Sequence, residues 1–92
     1  GKTAREEVFK FDNLYEITNT YYESGALKET IPFHSDKMHG IYEDRYENGQ
    51  TKVIGEYVGN RKVLEWKYYT EDGTLEKTEI YQAGKLSKVV NP

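Results

Sequence analysis

The chain has 92 residues, a formal net charge of −3 from 13 Lys/Arg against 16 Asp/Glu, and no cysteine. The missing thiols exclude disulfides, thiolate zinc centres and cysteine nucleophiles. Both charge signs are interleaved with no run of five, which excludes a basic nucleic-acid tail and a polybasic anchor, and no apolar run reaches the roughly 18 residues of a membrane span. Leu, Ile, Val and Phe total 19, about a fifth of the chain and close to the composition of disordered proteins. Nine Tyr, three Phe and one Trp compensate, because aromatics bury large areas and favour strands. One thin-cored domain over residues 1–92 is expected.

In chain order, Thr3–Lys10 reads as a first strand within a degenerate copy, residues 1–24, that keeps Phe9, Asp12 and Leu14 but lacks a glycine near Tyr15-Glu16-Ile17-Thr18. Such a copy reads either as a cap on the stack or as the edge of a truncated array, and the mid-repeat phase at Gly1 implies a segment upstream. Tyr22-Glu23-Ser24-Gly25 is the first clear turn. It leads into a copy over 25–48 whose strand places Leu27, Ile31 and Phe33 on one face and Lys28 and Thr30 on the other. After His34-Ser35-Asp36-Lys37 the next strand sets Met38, Tyr42 and Tyr46 against Glu43 and Arg45. Tyr46-Glu47-Asn48-Gly49 begins the copy over 49–72, with strands around Lys52–Tyr57 and Leu64–Tyr69 separated by Val58-Gly59-Asn60-Arg61. Thr70-Glu71-Asp72-Gly73 begins 73–92, which holds the turn Gln82-Ala83-Gly84-Lys85 and stops at Pro92, a residue that blunts strand pairing.

Gly25, Gly49 and Gly73 are 24 residues apart. A fixed period of this size marks a repeat architecture whose units bury a face only by joining their neighbours. The Asn-Gly and Asp-Gly steps predict type I′ turns there, and Gly, Asn and Asp predict left-handed residues in the second row of turns. Two turns per period leave two strands of about eight residues. The expected fold is all-β: an antiparallel meander of about eight strands in an elongated, twisted, single-layer sheet. Equivalent residues then form columns: Phe9, Phe33, Tyr57, Tyr81; Thr18, Tyr42, Trp66, Val90; and Leu14, Met38, Lys62, Leu86.

The run Tyr46-Glu47-Asn48-Gly49-Gln50-Thr51-Lys52 followed by Tyr57, and Tyr22-Glu23-Ser24-Gly25-Ala26-Leu27-Lys28 followed by Phe33, resemble the MORN-repeat variant family; Gly40 and Trp66 sit at further family-like positions. The resemblance spans about Phe9 to Val89. Leu64 stands where the glycine equivalent to Gly40 is expected, and Thr70 where the tyrosine is. The resemblance implies an elongated hairpin sheet and a binding or scaffolding role. Bacterial members are often labelled antitoxin-like and others are exported, while eukaryotic MORN proteins are associated with membrane-linked scaffolds. It therefore implies a cell-surface or exported setting, or a cytoplasmic one for an antitoxin-like protein.

No catalytic residues are assigned. The adjacent carboxylates Glu43/Asp44 and Glu71/Asp72 point to opposite faces of a strand or form turns, so they cannot flank a scissile bond. Gly84-Lys85 lacks the remainder of a phosphate loop, and no cofactor fingerprint is present. His34 and His39, with Asp36 between them, do not enforce a metal tetrahedron, so no metal ligands are assigned. An enzyme is not expected. The candidate binding residues are aromatic: Tyr21, Tyr42, Trp66, Tyr68 and Tyr69. A single-layer sheet leaves one face uncovered, and Tyr and Trp there make an amphipathic contact surface for another protein. Exposed sheet edges add a route to self-association. Binding of cell-surface glycan or cell wall is the alternative; lipid association ranks lower, because no basic cluster attracts anionic headgroups.

Overall fold

The computed structural model describes residues 3–12 and 14–92; the expectation drawn from Gly1 lies outside them. The strands are β1 (Thr3–Lys10), β2 (Tyr15–Tyr22), β3 (Leu27–His34), β4 (Lys37–Met38), β5 (Gly40–Arg45), β6 (Thr51–Val58), β7 (Arg61–Tyr69), β8 (Leu75–Gln82) and β9 (Lys85–Val90). They form one antiparallel sheet in the order β1-β2-β3-β5-β6-β7-β8-β9, with the short β4 also paired to β3. This is the expected meander, with one strand broken in two at His39. The molecule measures 36 × 31 × 17 Å, the thickness of one sheet and its side chains.

Two kinds of turn alternate, and the type I′ geometry falls on the row opposite to the one expected from Asn-Gly and Asp-Gly. Gly25, Gly49 and Gly73 have φ of 94°, 92° and 90°, while the residues before them are not left-handed. Each glycine N–H donates to the carbonyl of Tyr22, Tyr46 or Thr70 at 2.9–3.0 Å, and the N–H of those residues donates to Ala26, Gln50 or Thr74 at 2.9 Å. This is a type I turn closed by one left-handed residue, with its bulge recurring as register steps at Thr20/Tyr21, Asp44/Arg45 and Tyr68/Tyr69. The type I′ turns are Ser35-Asp36, Gly59-Asn60 and Ala83-Gly84, each with positive φ at both residues.

The period is also the distance over which turns lock together. The Tyr22 hydroxyl donates to the Arg45 carbonyl at 2.6 Å and the Tyr46 hydroxyl to that of Tyr69 at 2.8 Å. In the opposite row, the N–H groups of Ser35 and Asn60 donate to the carbonyls of Leu14 and Met38 at 2.8 and 2.9 Å. Thr70 occupies the third tyrosine position, and its hydroxyl bonds within its own turn to Asp72 and Thr74.

Cross-strand partners share a face, so the register assigns the two surfaces. One carries Thr18, Ile31, Glu29, Tyr42, Val53, Tyr57, Trp66, Tyr68, Glu79 and Tyr81; the other carries Ile17, Pro32, Thr30, Glu43, Ile41, Ile54, Lys67, Thr78 and Ile80. Two columns are corrected. Phe9 pairs with Ile17, in line with Pro32, and so lies on the opposite face to Phe33. Its β1–β2 connection is a longer loop, held by the Asp12 carboxylate accepting from the Leu14 and Tyr15 N–H groups; relative to the other copies the register slips by an odd number, which inverts the face. Val90 pairs with Thr78, away from Trp66. The bulges at Gly40 and Leu64 shift the register by two residues, whereas that between Ile80 and Tyr81 shifts it by one.

Candidate functional site

The two faces offer different chemistry, and each contains a hollow. The aromatic face is built around Trp66, which is 1% exposed although the sheet has no second layer. Gly55 makes this burial feasible: a Cβ there would lie 2.1 Å from Trp66 Cδ2, so the indole rests on bare backbone. Its Nε1 donates to the Glu56 carbonyl at 3.2 Å. Tyr42 stacks on it at 5.7 Å, and Tyr57 and Tyr81 meet it edge-on at 4.9 and 6.5 Å. Lys62 Nζ lies 4.6 Å from the indole centroid and 5.2 Å from that of Tyr81. Here Lys62 holds the place that Met38 and Leu86 hold in neighbouring copies.

Two carboxylates anchor the tyrosine hydroxyls. Glu29 accepts from Tyr42 at 2.6 Å and Thr20 at 3.2 Å; Glu79 accepts from Tyr68 at 2.7 Å and Tyr81 at 3.1 Å. Burial, then the hydrogen bond to Glu29, pushes the Tyr42 hydroxyl well above the usual tyrosine range; burial and Glu79 do the same for Tyr68. The Tyr68 hydrogen bond, opposed by burial and aided by Tyr81 and Lys77, holds Glu79 below the usual carboxylate range. The hollow over this face, about 390 Å³, is lined by Glu29, Met38, Tyr42, Tyr57, Lys62 and Tyr68, among others. The Tyr42 and Tyr68 hydroxyls that line it are engaged with Glu29 and Glu79.

The opposite face is aliphatic. Ile41, Ile54, Leu64 and Ile80 surround an open hollow of about 620 Å³ with the Gly55 backbone at its floor and Glu56, Glu65 and Lys67 at its rim. Ile41 is 56% exposed and Leu64 61%. Leu64 is also strained, with φ of 60° at the position where Gly40 has φ of 122°. In the left-handed region a Cβ costs roughly 1–2 kcal/mol that glycine avoids.

Of the five aromatic candidates, the structure gathers Tyr42, Trp66 and Tyr68 on one face. Trp66 is 1% exposed and lines the hollow of that face from beneath the tyrosines packed around it. Tyr21 stands apart, its hydroxyl bonded to Glu7. Tyr69 lines a smaller hollow of about 250 Å³ with Thr51 and Ile54, extending the aliphatic face. Ile41 and Ile80 were not among the candidates, although strict alternation against Tyr42 and Tyr81 places them opposite the aromatic columns. Leu64 stood out in sequence as a departure from Gly40. His34 stacks on Tyr15 at 4.3 Å, and among the described residues no group of three or more His, Cys, Asp or Glu gathers to hold a metal ion.

A hairpin meander whose turns lock to those of the next copy defines a β-repeat protein. Residues 38–58 and 62–83 match the MORN repeat variant, and the chain belongs to that family. Each matched stretch is one hairpin around a Tyr/Thr-x-x-Gly turn, and the two are joined by the type I′ turn at Gly59-Asn60. Neither the curated proteins nor the solved structures contain a match.

Proposed function

We propose that this chain is a non-catalytic protein-binding module whose working surface is the aliphatic face, centred on Ile41, Ile54, Leu64 and Ile80. The observation that carries this reading is Leu64: an exposed leucine held in a backbone conformation that favours glycine. Local stability favours glycine at this position, and an exposed leucine adds little to the fold, so a role outside the fold accounts for it. The aromatic face is the weaker candidate because the hydroxyls of Tyr42, Tyr68 and Tyr81 are already bonded to Glu29 and Glu79. An antitoxin-like role, taken from the family resemblance, would be one form of such binding.

A photo-crosslinking residue at position 41, compared with one at the exposed Glu76, tests this in cells that produce the protein. Protein adducts specific to position 41 are expected. Absence of adducts there, or retention of the purified chain on polysaccharide that Leu64→Asp leaves intact, would overturn it.

A further inference from the structure

The geometry points to a second copy of this chain as the occupant of the aliphatic face, packed sheet-on-sheet about a two-fold axis. This rests on the reading of that face as the working surface and identifies its partner.

Three features carry it. The first is layering. β domains bury their apolar faces between two layers, yet this sheet is one layer, and its buried hydrophobic side chains are Tyr22 and Trp66 among the described residues. The cluster around Trp66 buries the middle of the aromatic face, whereas Ile41 and Leu64, at the middle of the aliphatic face, stay more than half exposed. The second is shape. The face carries both a knob and a hollow: Leu64 and Ile41 protrude beside the cavity over Gly55. A two-fold axis brings the knob of each copy to the hollow of the other, which is the requirement of an isologous interface.

The third is charge. The rim holds Glu56 and Glu65 with Lys67, and Lys88 stands beside Ile80 across the strand pair. Two acids and two bases make a rim that complements itself. Lys67 lies 3.9 Å from Glu65 in its own chain, with the side chains 43% and 61% exposed, so each still presents charge to its opposite in the second copy. A strongly acidic or basic partner would leave half of these groups against like charge.

Sedimentation of the full chain, from low to high micromolar concentration, tests the inference. The expected mass is twice 10.8 kDa, falling to the single-chain value for Leu64→Asp. Leu64→Gly removes the knob while relieving the backbone, so it should weaken association at least tenfold while the monomer melts no lower than wild type. Lys67→Glu and Glu65→Lys should each weaken self-association about tenfold, and an equimolar mixture of the two should regain the dimer. A wild-type chain that stays monomeric throughout overturns the inference, as does a dimer untouched by Leu64→Asp. Adducts at position 41 to other proteins, with a monomeric chain, would overturn the inference and leave the protein-binding reading standing. A monomeric chain with no adducts would remove both.

Discussion

The aromatic and aliphatic faces lie on the two sides of one sheet, built from the same strands, yet they do opposite work. On the aromatic side a single indole is sealed by Gly55 below and by tyrosines around it, and the hydroxyls of Tyr42, Tyr68 and Tyr81 end on carboxylates of the same sheet. That side is a core made without a second layer. On the aliphatic side the branched side chains around Leu64 stay open, and the backbone beneath them is strained. The difference teaches that a one-layer repeat sheet can build its aromatic core on one face while aliphatic side chains stay exposed on the other.

If this division is right, substitutions on the two faces should separate stability from association. The largest effect belongs to the aromatic core. Trp66→Ala should lower stability by about 3–5 kcal/mol, and Gly55→Ala by about 3 kcal/mol, because its methyl would strike the indole and force it off the sheet. Thermal melts of both variants would check this; a melt within a few degrees of wild type for either would break the comparison.

Alkali should also act on the aromatic face. Tyr42 and Tyr68 titrate above the tyrosine range in the folded chain, so the folded state holds these protons more tightly. Their contribution is fully present below the unfolded pKa of about 10 and is lost as pH rises beyond it. Stability by urea titration should therefore fall above about pH 10, while absorbance of the folded chain shows these two tyrosines still protonated. Glu79 has the opposite sign: its folded pKa is lowered, so its contribution holds above the unfolded value of about 4.3 and declines as pH drops through the folded one. Tyr68→Phe should flatten both limbs.

A smaller effect tests the turn lock. Tyr46→Phe removes a hydroxyl that donates to the Tyr69 carbonyl and should cost about 1 kcal/mol, read as a lower urea midpoint at unchanged slope. The smallest effect has the reverse sign. Leu64→Gly should leave monomer stability unchanged or raise it by about 1 kcal/mol, since it relieves a left-handed leucine whose side chain is largely exposed. A clear loss of monomer stability would move Leu64 from the binding face to the fold.

Much of the scaffold was legible in sequence. Gly25, Gly49 and Gly73 mark one turn row, and the strands between them follow from β-branched and aromatic runs at that spacing. Turn chemistry was less legible. An Asn-Gly or Asp-Gly step accommodates both a type I′ loop and a type I turn with a bulge, and the choice depends on how many residues the flanking strands leave between them. The faces of Phe9 and Val90 were misread for a related reason: a bulge absorbing one residue inverts everything beyond it, and one absorbing two does not. Among the candidate residues, Tyr42, Trp66 and Tyr68 do come together, but the burial of Trp66 depends on Gly55 in the neighbouring strand, which a column of aligned residues does not encode.

The sequence by itself determined the period, the strands, the meander and the family, because turn residues and alternation act over a few positions. Only the tertiary structure decided which face is closed. That depends on Gly55 passing directly under Trp66 from the neighbouring strand and on a bulge that turns Leu64 toward Ile41, Ile54 and Ile80. Both are cross-strand relations, set by register, that no local pattern specifies.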